Sequence, residues 1–146
     1  MARKILIVED NLNIAENISD FLEMSGYDPC SIATNYDDAV SRFNDLNPDL
    51  TLLDINLEGD LTGIDVAEFI RAHSASPFIY CLASVEPGLL EMAKATNPFA
   101  FISKPMQFAH LKATIDAAFD ADRDSDESHM KILSGIAFLI APAMVV

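Results

Sequence analysis

Basic residues are scarce in this chain: nine lysines and arginines face twenty-three acids, a formal net charge of -14 over 146 residues. That imbalance repels a nucleic-acid backbone and argues against direct DNA binding. Cysteine is almost as rare. Cys30 and Cys81 lie far apart without metal-ligand spacing, each in an apolar stretch, so both are expected as buried reduced thiols in a cytoplasmic setting. No secretory leader is expected, since Arg3 and Lys4 run into a four-residue apolar segment that ends in acids, too short for such a signal. Glycine-rich phosphate loops of either standard spacing are missing too, as is any internal repeat. A transmembrane helix needs about twenty apolar residues. The uncharged run from Ile132 to Val146 is shorter and is broken by Pro142, so a membrane span is not expected.

The length suits one ordinary domain with an adequate core. Ile5 to Val8 is continuously apolar and rich in β-branched residues, the pattern of a central parallel strand covered on both faces. Asn13 to Met24 follows with helical spacing at Ile14, Ile18, Phe21 and Leu22, stopped by Ser25-Gly26. Tyr27 to Ala33 reads as a second strand, placed at a sheet edge because Pro29 cannot donate to the ladder. The alternation continues through a helix at Asn35 to Leu46, a strand at Asp49 to Asp54 and a helix marked by Ile64, Ala67, Phe69 and Ile70. Phe78 to Leu82 and Phe99 to Ser103 are the last strands, with helices at Glu86 to Ala95 and Phe108 to Phe119. Strict alternation of this kind predicts an α/β fold, a doubly wound five-stranded parallel sheet with right-handed crossovers.

In such sheets the functional crevice lies outside the carboxyl ends of the strands. The first strand ends in Glu9-Asp10, the third in Asp54 and the fifth in Ser103-Lys104-Pro105. Singly, each has an ordinary explanation: Asp10 as a helix cap, Asp54 as a turn cap, Lys104 as a solvated surface charge. Jointly they bring charge from three strands to one edge. Clustered carboxylates coexist when a hard divalent cation such as Mg²⁺ sits among them, which would leave Asp54 as a nucleophile and Lys104 as a point charge for phosphate oxygens.

Ile5-Leu6-Ile7-Val8-Glu9-Asp10-Asn11, Asp54-Ile55-Asn56-Leu57 with Gly63-Ile64, Pro77 through Ala83, and Lys104-Pro105 together resemble the receiver domains of two-component response regulators. The likeness runs from about Lys4 to about Phe119. It implies a flavodoxin-like sheet with strand order 2-1-3-4-5. It also implies that Asp54 is phosphorylated by a histidine kinase or phosphotransfer protein. Asp10 and Asp54 would ligate Mg²⁺ directly with the backbone carbonyl of Asn56, and Glu9 would act through water. Lys104 would contact the phosphoryl group, and Phe101 stands at the family's switch aromatic, as a moving ring or as a core phenylalanine.

One position departs from that family. The threonine or serine that ends the fourth strand is Leu82 here, and Ser84, two residues on, is the substitute if the strand end is bulged. The second departure is the tail. We divide the chain into a receiver at 1–120, an acidic linker at 121–128 and an apolar C-terminal tail at 129–146. The tail is expected to dock on its own domain or on a second copy, giving a homodimer. The leading functional expectation is a stand-alone phosphorylation switch whose output is a downstream protein contact. The alternative is a constitutive receiver-like interaction module with impaired switching, for which Leu82 and the tail speak. An independent phosphohydrolase is disfavoured because Asn56 stands where a second acid would be.

Overall fold

The computed structural model of the protein describes residues 2–84 and 86–133, with side chains as far as Ala121. Five parallel strands, β1 (Lys4–Val8), β2 (Asp28–Ala33), β3 (Leu50–Leu53), β4 (Phe78–Leu82) and β5 (Ala100–Ser103), form one sheet in the order β2-β1-β3-β4-β5. Helices α1 (Leu12–Met24), α2 (Tyr36–Leu46), α3 (Gly63–His73), α4 (Pro87–Ala95) and α5 (Phe108–Leu133) alternate with them. The fold class is that expected from the alternation, and the strand order is that implied by the resemblance. By compactness the chain divides into one unit up to Lys112 and a second from Ala113 onward.

The central strands are apolar throughout because both of their faces are covered: all of β3 and β4, and Ile5 to Val8 of β1, are buried. Each fully buried Leu or Ile contributes about 1.5–3 kcal/mol. On one face Leu6, Val8, Leu53 and Tyr80 join Phe43 of α2 and Ile64, Ala67 and Ile70 of α3. Pro29 is at the edge, as its missing amide requires, and the β1/β2 register shifts beside it, between Ile5↔Pro29 and Leu6↔Ser31.

Local chemistry fixes the helix starts. Asn11 accepts from Ile14 N (3.2 Å), Asn35 from Asp38 N (2.9 Å), and Thr62 with Asp65 closes a capping box. Two expectations are corrected. Residues 121–128 continue α5 instead of forming a linker, because no Gly or Pro interrupts the chain between Pro105 and Gly135. Cys30 is only partly buried, while Cys81 is 3% exposed. Among the described residues no helix is long and apolar enough to cross a membrane. Of the tail at 129–146, residues 129–133 continue α5 and 134–146 lie outside the described residues, as do the side-chain contacts expected of it.

Candidate functional site

The sheet ladder itself assembles the charged edge. Glu9, Asp54 and Lys104 are each the first residue beyond a strand, and each backbone amide extends the ladder to the neighbouring strand end. Glu9 N donates to Ala33 O (2.9 Å), Asp54 N to Val8 O (2.9 Å) and Lys104 N to Leu82 O (2.6 Å). Residues 95 apart in sequence therefore meet. Lys104 Nζ donates to Glu9 Oε1 at 2.5 Å and lies 3.3 Å from Asp54 Oδ2. The other Glu9 oxygen accepts from Asn11 N (3.1 Å), so both of its carboxylate oxygens are occupied.

Glu9 is 2% exposed, Asp54 9%, and Asp10 opens to solvent. One carboxylate oxygen from each lies within 4.8 Å of the others. Burial, the Glu9 hydrogen bond and the Glu9 charge together push the Asp10 carboxyl above its ordinary range, against the pull of Lys104. For Lys104, burial opposes the ammonium, but Glu9 and Asp54 outweigh it and its pKa rises. Three carboxylates against one ammonium leave a formal charge of -2, made of hard oxygen donors partly open to water. That donor set fits a divalent cation such as Mg²⁺.

Asn56 is exposed, and its amide approaches Asp54 Oδ1 at 3.4 Å. Leu82 closes β4 inside the apolar cluster, Ser84 is exposed, and Phe101 is half-buried against Tyr80. Cys81, beside the charged groups on β4, has its thiol pushed up to about 12 by burial.

Gly63 has a part that its place in a motif did not reveal. Its amide donates to Ile55 O (2.8 Å), and a Cβ there would lie 1.9 Å from Asp54 O and 2.8 Å from Asp54 C. Only glycine allows α3 to start against the backbone that carries Asp54. Tyr80 and Thr96 were also unassigned, although a tyrosine inside a wholly apolar strand was a signal that its hydroxyl needs a partner.

An open parallel sheet in the order β2-β1-β3-β4-β5, with acids and a lysine at its carboxyl edge, defines the flavodoxin-like class of α/β fold. Residues 5–116 match the family described as "Response regulator receiver domain", and the chain belongs to that family. It therefore carries the receiver domain of a two-component response regulator. The DNA-binding response regulator MtrA of Mycobacterium tuberculosis is 30% identical over 134 residues, 92% of this chain and 57% of MtrA. The phosphate regulon transcriptional regulatory protein PhoB of Escherichia coli is 35% identical over 120 residues, 80% of this chain and 52% of PhoB. A signal receiver domain of a modulated diguanylate cyclase from Desulfovibrio desulfuricans superposes with a TM-score of 0.81 at 32% identity, covering 86% of this chain and 99% of that one. The chain thus spans little more than half the length of the curated relatives it matches.

Proposed function

We propose that the chain is a phosphorylation-driven switch in which Asp54 accepts a phosphoryl group from a histidine kinase or phosphotransfer protein. The phosphorus–nitrogen bond of the donor breaks as a bond from an Asp54 carboxylate oxygen to phosphorus forms. The observation carrying this reading is Asp54 itself: nine-tenths buried, at the end of a central strand, within 4.8 Å of two further carboxylates and 3.3 Å from Lys104. Asp10, Asp54 and the Asn56 carbonyl would hold Mg²⁺. Glu9 would act through water, in keeping with its two engaged oxygens. When bound, the cation supplies positive charge to the phosphoryl oxygens. Lys104 supplies a fixed charge to the same oxygens, held in place by Glu9. Phosphoryl uptake from a small phosphodonor, with and without Mg²⁺, tests the proposal.

Receiver domains are signalling switches, and we place the output in a protein contact made in the cytoplasm. The mycobacterial relatives are DNA-binding regulators, but the charge of -14 speaks against a DNA contact by these 146 residues. Residues 1–120 are taken as the receiver, with 121–128 and 129–146 appended and the apolar stretch offered to a second copy.

Leu82 supports a second reading, a constitutive interaction module. Leucine cannot hydrogen-bond a phosphoryl group, which leaves the exposed Ser84, two residues on, as the substitute hydroxyl. A hydrogen bond to a charged group is worth about 1.5–3 kcal/mol, enough to shift a two-state equilibrium roughly tenfold to a hundredfold. Leu82→Thr should leave uptake on Asp54 within about threefold while enlarging the NMR shift changes that phosphorylation causes near Phe101 and α4, the bond above setting the scale. A wild type that responds as strongly as the threonine variant would show that the hydroxyl is unnecessary or supplied by Ser84.

A further inference from the structure

Tyr80 lies two residues before Leu82 on the same face of β4 and is fully buried. Its hydroxyl is 2.8 Å from Thr96 Oγ1, and Thr96 Oγ1 donates its own proton to Ala93 O at 2.6 Å. Tyr80 is therefore the donor to Thr96, since a threonine hydroxyl has one hydrogen to give. The carbonyl of Thr96 accepts from Arg71 Nη1 of α3 at 2.9 Å. Strand β4, helix α3 and the end of α4 thus converge on one residue, which is itself 7% exposed.

The two ends of α4 are held differently. Ala93, the one buried residue of the helix, lies a turn before Thr96. At the opposite end Glu86 makes no side-chain capping bond, and Glu86, Pro87 and Gly88 are exposed. Leu89 and Leu90 reach the core only in part. That loosely held end follows β4, whose last carbonyl is bonded to the amide of Lys104. Phe101 leans on the same post, stacked on Tyr80 with centroids 5.4 Å apart and planes 16° from parallel.

We infer that the buried pair Tyr80 and Thr96, with Arg71 reaching in from the exposed face of α3, forms an anchor about which α4 pivots, so that its N-terminal end moves while its C-terminal end and the Phe101 ring stay fixed. The motion rests on the phosphorylation of Asp54 proposed above; the anchor does not. A hydroxyl at position 80 fastens the helix, in a receiver whose position 82 has none to draw the following loop toward the phosphoryl group. Phe101 then acts as a fixed ring, because swinging it would break its stack on a tyrosine whose hydroxyl is already bound.

Amide exchange and NMR on the full chain test this. Without phosphodonor, Tyr80→Phe should speed exchange at residues 94–97 roughly fivefold, the size of one neutral hydrogen bond; Thr96→Val, which also removes the bond to Ala93 O, should speed it more, and the double variant should add little to Thr96→Val alone. Thr96→Ser, which keeps the hydroxyl, should restore protection and separates loss of the bond from loss of the fold. With a small phosphodonor and Mg²⁺, wild-type shift changes should be large at 88–91 and small at 94–97, and Tyr80→Phe should spread them to 94–97. Unchanged exchange in both single variants would overturn the anchor. Equal shift changes at both ends of wild-type α4 would overturn the pivot. Absence of phosphoryl uptake would overturn the switch reading and the motion with it, while the exchange comparison would still decide the anchor.

Discussion

Replacing Gly63 by alanine should lower the melting temperature by about 10 °C and cripple phosphoryl uptake, although the side chain gained is a single methyl. A Cβ placed 1.9 Å from Asp54 O and 3.1 Å from Ile55 Cα meets backbone on both counts, so no rotamer relieves it. Either α3 moves away or the strand end carrying Asp54 does. Forced overpacking of this kind costs about 3 kcal/mol, and for a chain of this size that is roughly the stated shift in melting temperature. The loss at the site is the more telling effect, since Asp54 shares its backbone with the point of collision. Thermal melts with phosphorylation assays on the surviving folded fraction would check both. Unimpaired uptake in a folded Gly63→Ala variant would mean that the close approach does not position Asp54.

The second large effect belongs to Lys104→Met. Glu9 and Asp54 are nearly buried and share one ammonium, so removing it leaves two carboxylates with no counter-charge in a poorly solvated place. Breaking a buried pair on one side costs about 3–5 kcal/mol; the 14% exposure of the lysine side chain lets water in, and about 2–3 kcal/mol is expected. The sign with pH follows from the raised pKa of Lys104. Its stabilising contribution is complete below its unfolded value near 10.5 and is lost only as pH rises through the higher folded value. The deficit of the variant is therefore full at neutral pH and shrinks only as pH rises through that folded value. Added Mg²⁺ should restore part of the melting temperature, because a dication replaces the missing charge. Denaturant melts across pH, with and without Mg²⁺, would measure this. No deficit at neutral pH, or one already lost well below pH 10.5, would contradict the assignment of the lysine as shared counter-ion.

The sheet was legible because its determinants are local. Ile5 to Val8 needed burial on both sides, Pro29 needed an edge, and charged residues at three strand ends had one place to meet once the strands were parallel. The pairing of Lys104 with Glu9 is different in kind. It depends on the order of the strands in the sheet, where β3 and β4 lie between β1 and β5, and three strands separate β1 from β5 along the chain. Gly63 was visible as a motif residue, but its reason lies in a backbone approach that no spacing encodes. The anchor at Thr96 was hidden because threonine after a helix is unremarkable until the tyrosine beneath it is placed. The extension of α5 escaped notice because Asp and Ser favour turns locally, whereas a helix already nucleated needs a breaker to stop it, and none occurs before Gly135.

The central claim concerns Asp54 as the acceptor. Intact-mass measurement of the full chain, incubated with a small phosphodonor in the presence and absence of Mg²⁺, tests it directly, with Asp54→Asn run alongside. The account predicts one added phosphoryl group in the wild type only with Mg²⁺, and none in Asp54→Asn. An added group that persists in Asp54→Asn, or no addition to the wild type under any metal condition, would contradict it.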